Sequence, residues 1–190
     1  MADRLPGNWH NIQSLLGPSY LCGYCNVLVG TNAAYHIAET PNKYYIRICP
    51  KCNRPTFIEE GRQTPGVSFG NPAGHLPKEV EPLYDEARIC TAVGAHTAAV
   101  LAARKILMHL AVEKEAKPGL SFIDYVEYLA EKGFVPPNGK GWVDYIRKKG
   151  NEANHQILLM NEEDSKKLIT FLEMLLKFIY EFPAEIPKSL

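Results

Sequence analysis

No stretch of this chain stays apolar for the length of a bilayer, and Met1–Asn8 lacks the apolar core of a signal peptide. The expectation is a soluble, cytoplasmic protein with no membrane partner. Net charge is also missing: 21 Lys and Arg balance 21 Asp and Glu. No global field draws nucleic acid or anionic lipid, so any such contact must come from a local patch. P-loop, GxGxxG, GxSxG and HExxH spacings are absent, which removes the signatures of phosphate-cradling, dinucleotide-binding, serine-hydrolase and zinc-protease sites. Repeats and low-complexity tracts are absent too. Cysteine is scarce, five in 190 residues, and four of the five fall in two CxxC pairs. That usage suits a reduced compartment and a metal rather than a disulfide framework.

The pairs are Cys22-Gly23-Tyr24-Cys25 and Cys49-Pro50-Lys51-Cys52, with 23 residues between them. One CxxC turn brings two thiolates onto one ion, and two such turns complete a tetrahedral four-sulfur site. Strand-like runs lie at Val27–Val29 and Tyr44–Ile48, and another comes after them at Pro55–Ile58. This is the layout of a zinc ribbon, with structural zinc held by Cys22, Cys25, Cys49 and Cys52. A redox CxxC sits in a βαβ context, which is not seen here, and a catalytic zinc keeps an open position that four thiolates do not leave. A unit this small buries little apolar surface, so metal is expected to hold it together. His36, between the pairs, reads as a packing or surface residue. Residues 1–20 read as an irregular arm packed on the segment after it.

Residues 61–82 hold eight Gly or Pro in 22 positions, a density that neither helix nor strand is expected to survive. The expected organisation is therefore an arm and ribbon over 1–60, a linker over 61–82 and a helical bundle over 83–190, an α+β protein overall. The first helix is expected from Leu83 to Thr91, with Pro82 before it and Asp85 and Glu86 in its first turn. The second, Ala95–Glu113, is apolar all round at Ala98–Ala103, which predicts a central, buried helix. Ser121 with Asp124 predicts the cap of a third helix, ending near Glu131, and Asn161 with Asp164 caps the last, running to Tyr180 and ended by Pro183. That last helix has one narrow polar stripe. Its wide apolar arc predicts a central position or a subunit interface, with a homodimer through the bundle favoured.

The densest chemistry lies between the third and last helices, at Trp142–His155. Trp142, Val143 and Ile146 give it a buried edge. Arg147, Lys148, Lys149, Gly150, Asn151 and His155 come next, within nine residues. On a helix Lys148, Asn151 and His155 share one face, and Arg147 lies four residues from Asn151. A histidine near its ordinary pKa can shuttle a proton at neutral pH, while a cation holds a phosphate and an amide orients the ring. The alternative is structural: Asn151 and His155 satisfy backbone groups at a bend around Gly150, beside a solvated basic face. Arg104 either adds charge to the same cleft or pairs with an acid such as Glu86. His96 and His109 read as packing or surface residues, and Cys90 as a small core residue.

The CxxC…CPxC layout, Tyr84–Arg88, the Arg104-bearing alanine-rich helix, Ile146–His155 and the closing Phe171–Leu176 helix together resemble the DUF4145 family of bacterial proteins, grouped with the HEPN superfamily of helical bundles. The resemblance implies a HEPN-like bundle, commonly dimeric, and a setting in bacterial defence or restriction. HEPN ribonucleases use an Arg and a His a few residues apart across a dimer cleft. Here Arg147 and His155 have seven residues between them, a wider gap than that pattern, and Lys149 and His155 have five. The resulting expectation is an accessory factor that binds nucleic acid (RNA or DNA) or protein. Arg147, Asn151 and His155 are its candidate catalytic residues, and Lys148, Lys149 and Arg104 its candidate binding residues. The alternatives are a metal-independent HEPN-type endoribonuclease and a structural adaptor without activity.

Overall fold

The computed structural model describes residues 3, 4, 6–41, 43–136, 139, 141–146 and 159–187. Two compact units divide the chain, Met1–Ser68 and Phe69–Leu190.

The first unit is built from short antiparallel strands: β1 (Gln13–Ser14), β2 (Tyr20–Leu21), β3 (Leu28–Val29), β4 (Ala33–His36), β5 (Tyr44–Ile48), β6 (Pro55–Glu59) and β7 (Arg62–Thr64). They form a five-stranded sheet in the order β1-β4-β5-β6-β7 and a separate β2-β3 hairpin. Aromatic and β-branched residues make β5 and β6 the natural centre. Along β6, Thr56 and Ile58 point inward and Phe57 and Glu59 outward, the alternation of a half-buried strand. Two expectations need correcting. The amino-terminal arm is not wholly irregular, since β1 pairs with β4 and β2 with β3. Strand also survives inside 61–82, where β7 returns along β6 through the Glu60-Gly61 turn. Both of that turn's central residues have positive φ, 47° and 85°, the conformation that suits a two-residue hairpin.

The second unit is helical: α1 (Val80–Ala92), α2 (His96–Glu113), α3 (Phe122–Glu131) and α4 (Glu162–Leu176), then a π-helical turn over Lys177–Glu181 and a short α5 (Phe182–Glu185). Residues 141–146 are helical as well. α2 is central, packed by α1, α3 and α4. It is not buried all round, because Leu101 stands 60% exposed. α1 starts three residues earlier than expected. Pro82 is its third residue, where no intrahelical N–H is needed, and the Pro77 carbonyl accepts from Val80 and Glu81. The acid of its first turn is Glu81.

Ser121 and Asp124 form the expected capping box on α3, and the Asn161 side chain accepts from the Asp164 amide on α4. Pro183 does not end the last helix. The Phe182 amide bonds back five residues to the Lys177 carbonyl, and this wider turn lets the helical path run past Pro183 to Glu185. The apolar arc of α4 is consumed within the unit, with Ile169, Phe171, Leu172, Leu175 and Leu176 all fully buried. Phe178, farther along the same helical path, stays 43% exposed. Val143 and Ile146 are buried as expected, and Trp142 stacks on Phe171 with ring centroids 6.1 Å apart.

The glycine- and proline-rich stretch that opens this unit is a bound strap. Arg88, 7% exposed, donates to the Phe69 and Gly70 carbonyls and to Asp85. Tyr84 donates to the Asn71 carbonyl, and Glu173 accepts from both the backbone and the side chain of Asn71.

Candidate functional site

Each CxxC pair is the turn of a hairpin. Cys22–Cys25 joins β2 to β3, and Cys49–Cys52 joins β5 to β6. The two turns are built alike. The first cysteine's amide closes on the carbonyl five residues later, Cys22 to Val27 and Cys49 to Arg54, both at 3.0 Å. An asparagine comes directly after each second cysteine with left-handed φ, 52° at Asn26 and 59° at Asn53, and donates its amide to the first cysteine's carbonyl at 2.8 Å in both. Asparagine tolerates that conformation better than most residues. The repeated Cys-Asn was a visible signal in the sequence that the spacing argument did not use.

Three contacts hold the first knuckle against the second. Buried Arg47 on β5 donates to the Pro18 and Thr31 carbonyls, which flank the β2-β3 hairpin at its open end. Gln63 on β7 donates to the Leu21 carbonyl. Gly23 lies under the backbone at Pro65 and Gly66, with no room for a side chain. The arm seals the second knuckle: Trp9 donates to the Asn53 carbonyl, Asn53 donates to the Gly7 carbonyl, and Arg4 reaches the Pro50 and Lys51 carbonyls.

The four sulfurs meet in the core of this unit. All four cysteines are buried, and their Sγ atoms lie within 4.8 Å of one another. Cys22 and Cys52 approach to 3.7 Å and Cys25 and Cys49 to 3.8 Å, well beyond the roughly 2.05 Å of a disulfide. A tetrahedron with metal–sulfur bonds of about 2.3 Å has sulfur–sulfur edges of about 3.8 Å, so the spacing fits one four-coordinate ion. As free thiols Cys25, Cys49 and Cys52 differ. Burial pushes Cys52 up to about 12 and raises Cys25. At Cys49 burial is outweighed by the amides of Cys52 and Lys51, which hold the thiol below its ordinary value. Full ionisation of such a cluster requires a cation among the sulfurs. His36, on β4, is not part of the cluster.

In the helical unit, Arg147, Lys148, Lys149, Asn151 and His155 lie outside the described residues. Arg104 is described, and it does not pair with Glu86. Its guanidinium lies 4.3 Å from the centroid of the Phe122 ring, and burial alone lowers its pKa. Together with Tyr145, Ile146, Met160 and Asp164 it lines a cavity of about 30 Å³. Asp164 accepts from the Tyr145 hydroxyl at 2.6 Å, and among the described residues no acid pairs with Arg104. The buried arginine that does pair is Arg88, through Asp85.

His96 is a packing residue: its Nδ1 meets Ser165 Oγ at 2.9 Å, and Ser165 in turn donates to the Glu162 carbonyl. The imidazole is therefore the donor to Ser165. His109 is at the surface beside Glu113, and Cys90 is half-buried rather than a core residue.

A pair of cysteine knuckles competent to hold a metal, with a helical unit after it, defines a mixed α+β protein of two parts. The family model described as "Domain of unknown function (DUF4145)" matches residues 85–189, more than half of the chain, and the chain belongs to that family. That match takes in α1 from Asp85 onward and does not extend to the cysteine unit. No curated protein and no solved structure matches the chain. Among the described residues, no helix is long and apolar enough to cross a membrane.

Proposed function

We propose that this chain is an accessory nucleic-acid-binding factor, with a zinc ribbon as its first unit and a HEPN-like bundle as its second. Zinc is favoured by the donor set: four buried thiols, with neither carboxylate nor imidazole among them, in a spacing that leaves no coordination position open. Residues Cys22, Cys25, Cys49 and Cys52 hold the ion, and its role is to fold the unit rather than to react.

The observation that carries nucleic-acid binding is Arg104. Among the described residues no acid pairs with it, although Asp164 lines the same cavity, and a half-buried guanidinium without a paired acid is costly to maintain. This one faces the cavity wall formed by Tyr145 and Ile146. Directly after Ile146 in sequence come Arg147, Lys148 and Lys149. On this reading Arg104 and the Arg147-Lys148-Lys149 run are the candidates for the local patch that phosphate contacts require in a chain with no net charge.

The test is fluorescence anisotropy of the purified full-length chain with labelled RNA and DNA across a salt series. Binding that falls steeply with salt and weakens in Lys148→Gln/Lys149→Gln supports this reading. No binding at low salt overturns it. RNA cleavage in EDTA, abolished in a folded His155→Ala variant, would replace it with an endoribonuclease.

A further inference from the structure

The two knuckles present a second surface at the cysteine end of the first unit. Tyr24 lies between Cys22 and Cys25, and the residue is 37% exposed. The guanidinium of Arg54, two residues after Cys52, sits 5.3 Å from that ring's centroid, and its Nε is buried with no hydrogen-bond partner. Lys51 is exposed between Cys49 and Cys52, and Arg4 is exposed while bonded to carbonyls of the same knuckle. Among the described residues no acid pairs with any of these cations.

Asp3, next to Arg4 in the arm, is one acid of this unit, and the others lie elsewhere. From Arg4 to Ala38 the sequence has no Asp or Glu, and between Glu39 and Glu59 it has none either. Glu59 pairs in register with Tyr44, at the opposite end of β5 from Cys49. Glu60 pairs with Lys43 at that same far end, and Glu39 falls in the turn leading from β4 to β5. Apart from Asp3 in the arm, the unit's acids therefore sit at the far turns, where Lys43 and Arg62 lie beside them, and an aromatic ring stands among cations at the knuckles.

We infer that the knuckle end of the first unit is a contact surface for single-stranded nucleic acid, with Tyr24 stacking a base and Arg54 and Lys51 holding the adjoining phosphates. The inference rests on the reading of the chain as a nucleic-acid binder, and adds to it the strand form and the residues in contact. A half-exposed ring flanked by cations suits an unpaired base joined to phosphate, whereas a duplex keeps its base faces stacked away from such a ring. An acidic polypeptide would satisfy the cations and leave the ring unused.

The experiment compares the zinc-loaded full-length chain with Tyr24→Ala, Arg54→Gln, Lys51→Gln and Lys43→Gln, the last removing a cation at the acidic end. Each is titrated against a labelled single-stranded oligothymidylate, a duplex of the same length and polyglutamate, with zinc content measured in parallel. The expected result is tighter binding to the single strand than to the duplex. Tyr24→Ala should lose about tenfold in affinity, Arg54→Gln and Lys51→Gln should lose affinity with a shallower salt dependence, and Lys43→Gln should bind unchanged, all with full zinc. Single-strand binding that survives Tyr24→Ala and Arg54→Gln but falls in Lys148→Gln/Lys149→Gln overturns this inference and leaves the proposed function standing. Absence of any binding by the parent chain overturns both. Polyglutamate bound as tightly as the oligonucleotide, without dependence on Tyr24, also overturns the inference.

Discussion

A Cβ placed on Gly23 would lie 2.4 Å from the backbone oxygen of Gly66. The contact is between main chains, so no flexible side chain can move aside to relieve it. It also falls inside the knuckle that carries Cys22 and Cys25, so any shift is transmitted to two of the four sulfurs. Gly23→Ala is therefore expected to destabilise the first unit by about 1–3 kcal/mol, as overpacking does, and to lower metal affinity measured by chelator competition. Gly141→Ala, where nothing lies within 4 Å of the added carbon, is the matched control and should leave metal affinity unchanged.

Metal removal should affect the two units differently. Among the described residues, the buried cluster around the sulfurs contains, apart from the cysteines, Tyr20 and Val29, with Val27 packed against it, whereas the helical unit has an extensive apolar core. A strong chelator, or Cys49→Ser, is expected to abolish amide-exchange protection in β5 and β6 while α2 and α4 stay protected. Hydrogen exchange read by mass spectrometry checks this. Protection retained in β5 and β6 after chelation would show that metal does not brace the unit.

Features of the fold were legible in the sequence to the extent that their signals are local. The CxxC spacing, β5 at Tyr44–Ile48 and the caps at Ser121 and Asn161 depend on residues a few positions apart, and they are where the sequence places them. Strands β1, β2 and β7 have two or three residues each, too few to show a period, and they exist through partners such as Ala34 and Phe57. The strap after Ser68 was hidden for a related reason. Its glycines and prolines indicate only a lack of regular structure, while its position is set by the distant side chains of Tyr84, Arg88 and Glu173. Charge alone offers Arg104 either the cleft or an acid such as Glu86, but sequence does not show that Phe122 offers it a ring face. The catalytic cluster proposed at Arg147–His155 lies outside the described residues, so its chemistry stands on sequence.

Glu173 provides a pH-dependent test of the strap. Burial raises its pKa, but the hydrogen bonds from Lys177 and from the backbone and side chain of Asn71 outweigh that and hold it below the ordinary carboxylate value. A folded-state pKa below the unfolded one contributes stability that is present above the unfolded value and lost as pH falls through the folded one. Glu173→Gln should therefore cost about 1–3 kcal/mol at pH 7. The gap between variant and parent should close as the solution is acidified below the carboxylate range. Urea denaturation of both proteins at neutral and acidic pH reads this directly. A gap that stays constant with pH would mean that Glu173 acts through packing alone.

Arg104→Met separates a functional arginine from a structural one. If the guanidinium served only the fold, removing it would destabilise the helical unit. Its sole described partner is the Phe122 ring, burial lowers its pKa, and among the described residues no acid pairs with it, although Asp164 lines the same cavity. Methionine keeps the length and the contact with Phe122 while removing the poorly solvated charge, so stability in urea is expected to stay level or rise by up to about 1 kcal/mol. Nucleic-acid affinity should fall by about fivefold to tenfold, and the salt dependence should become shallower by about one phosphate contact. Gain or parity in stability together with loss of affinity would show that the site holds an uncompensated charge for its ligand. Loss of stability with unchanged affinity would assign Arg104 to the core of the bundle and move the phosphate contacts to other cations.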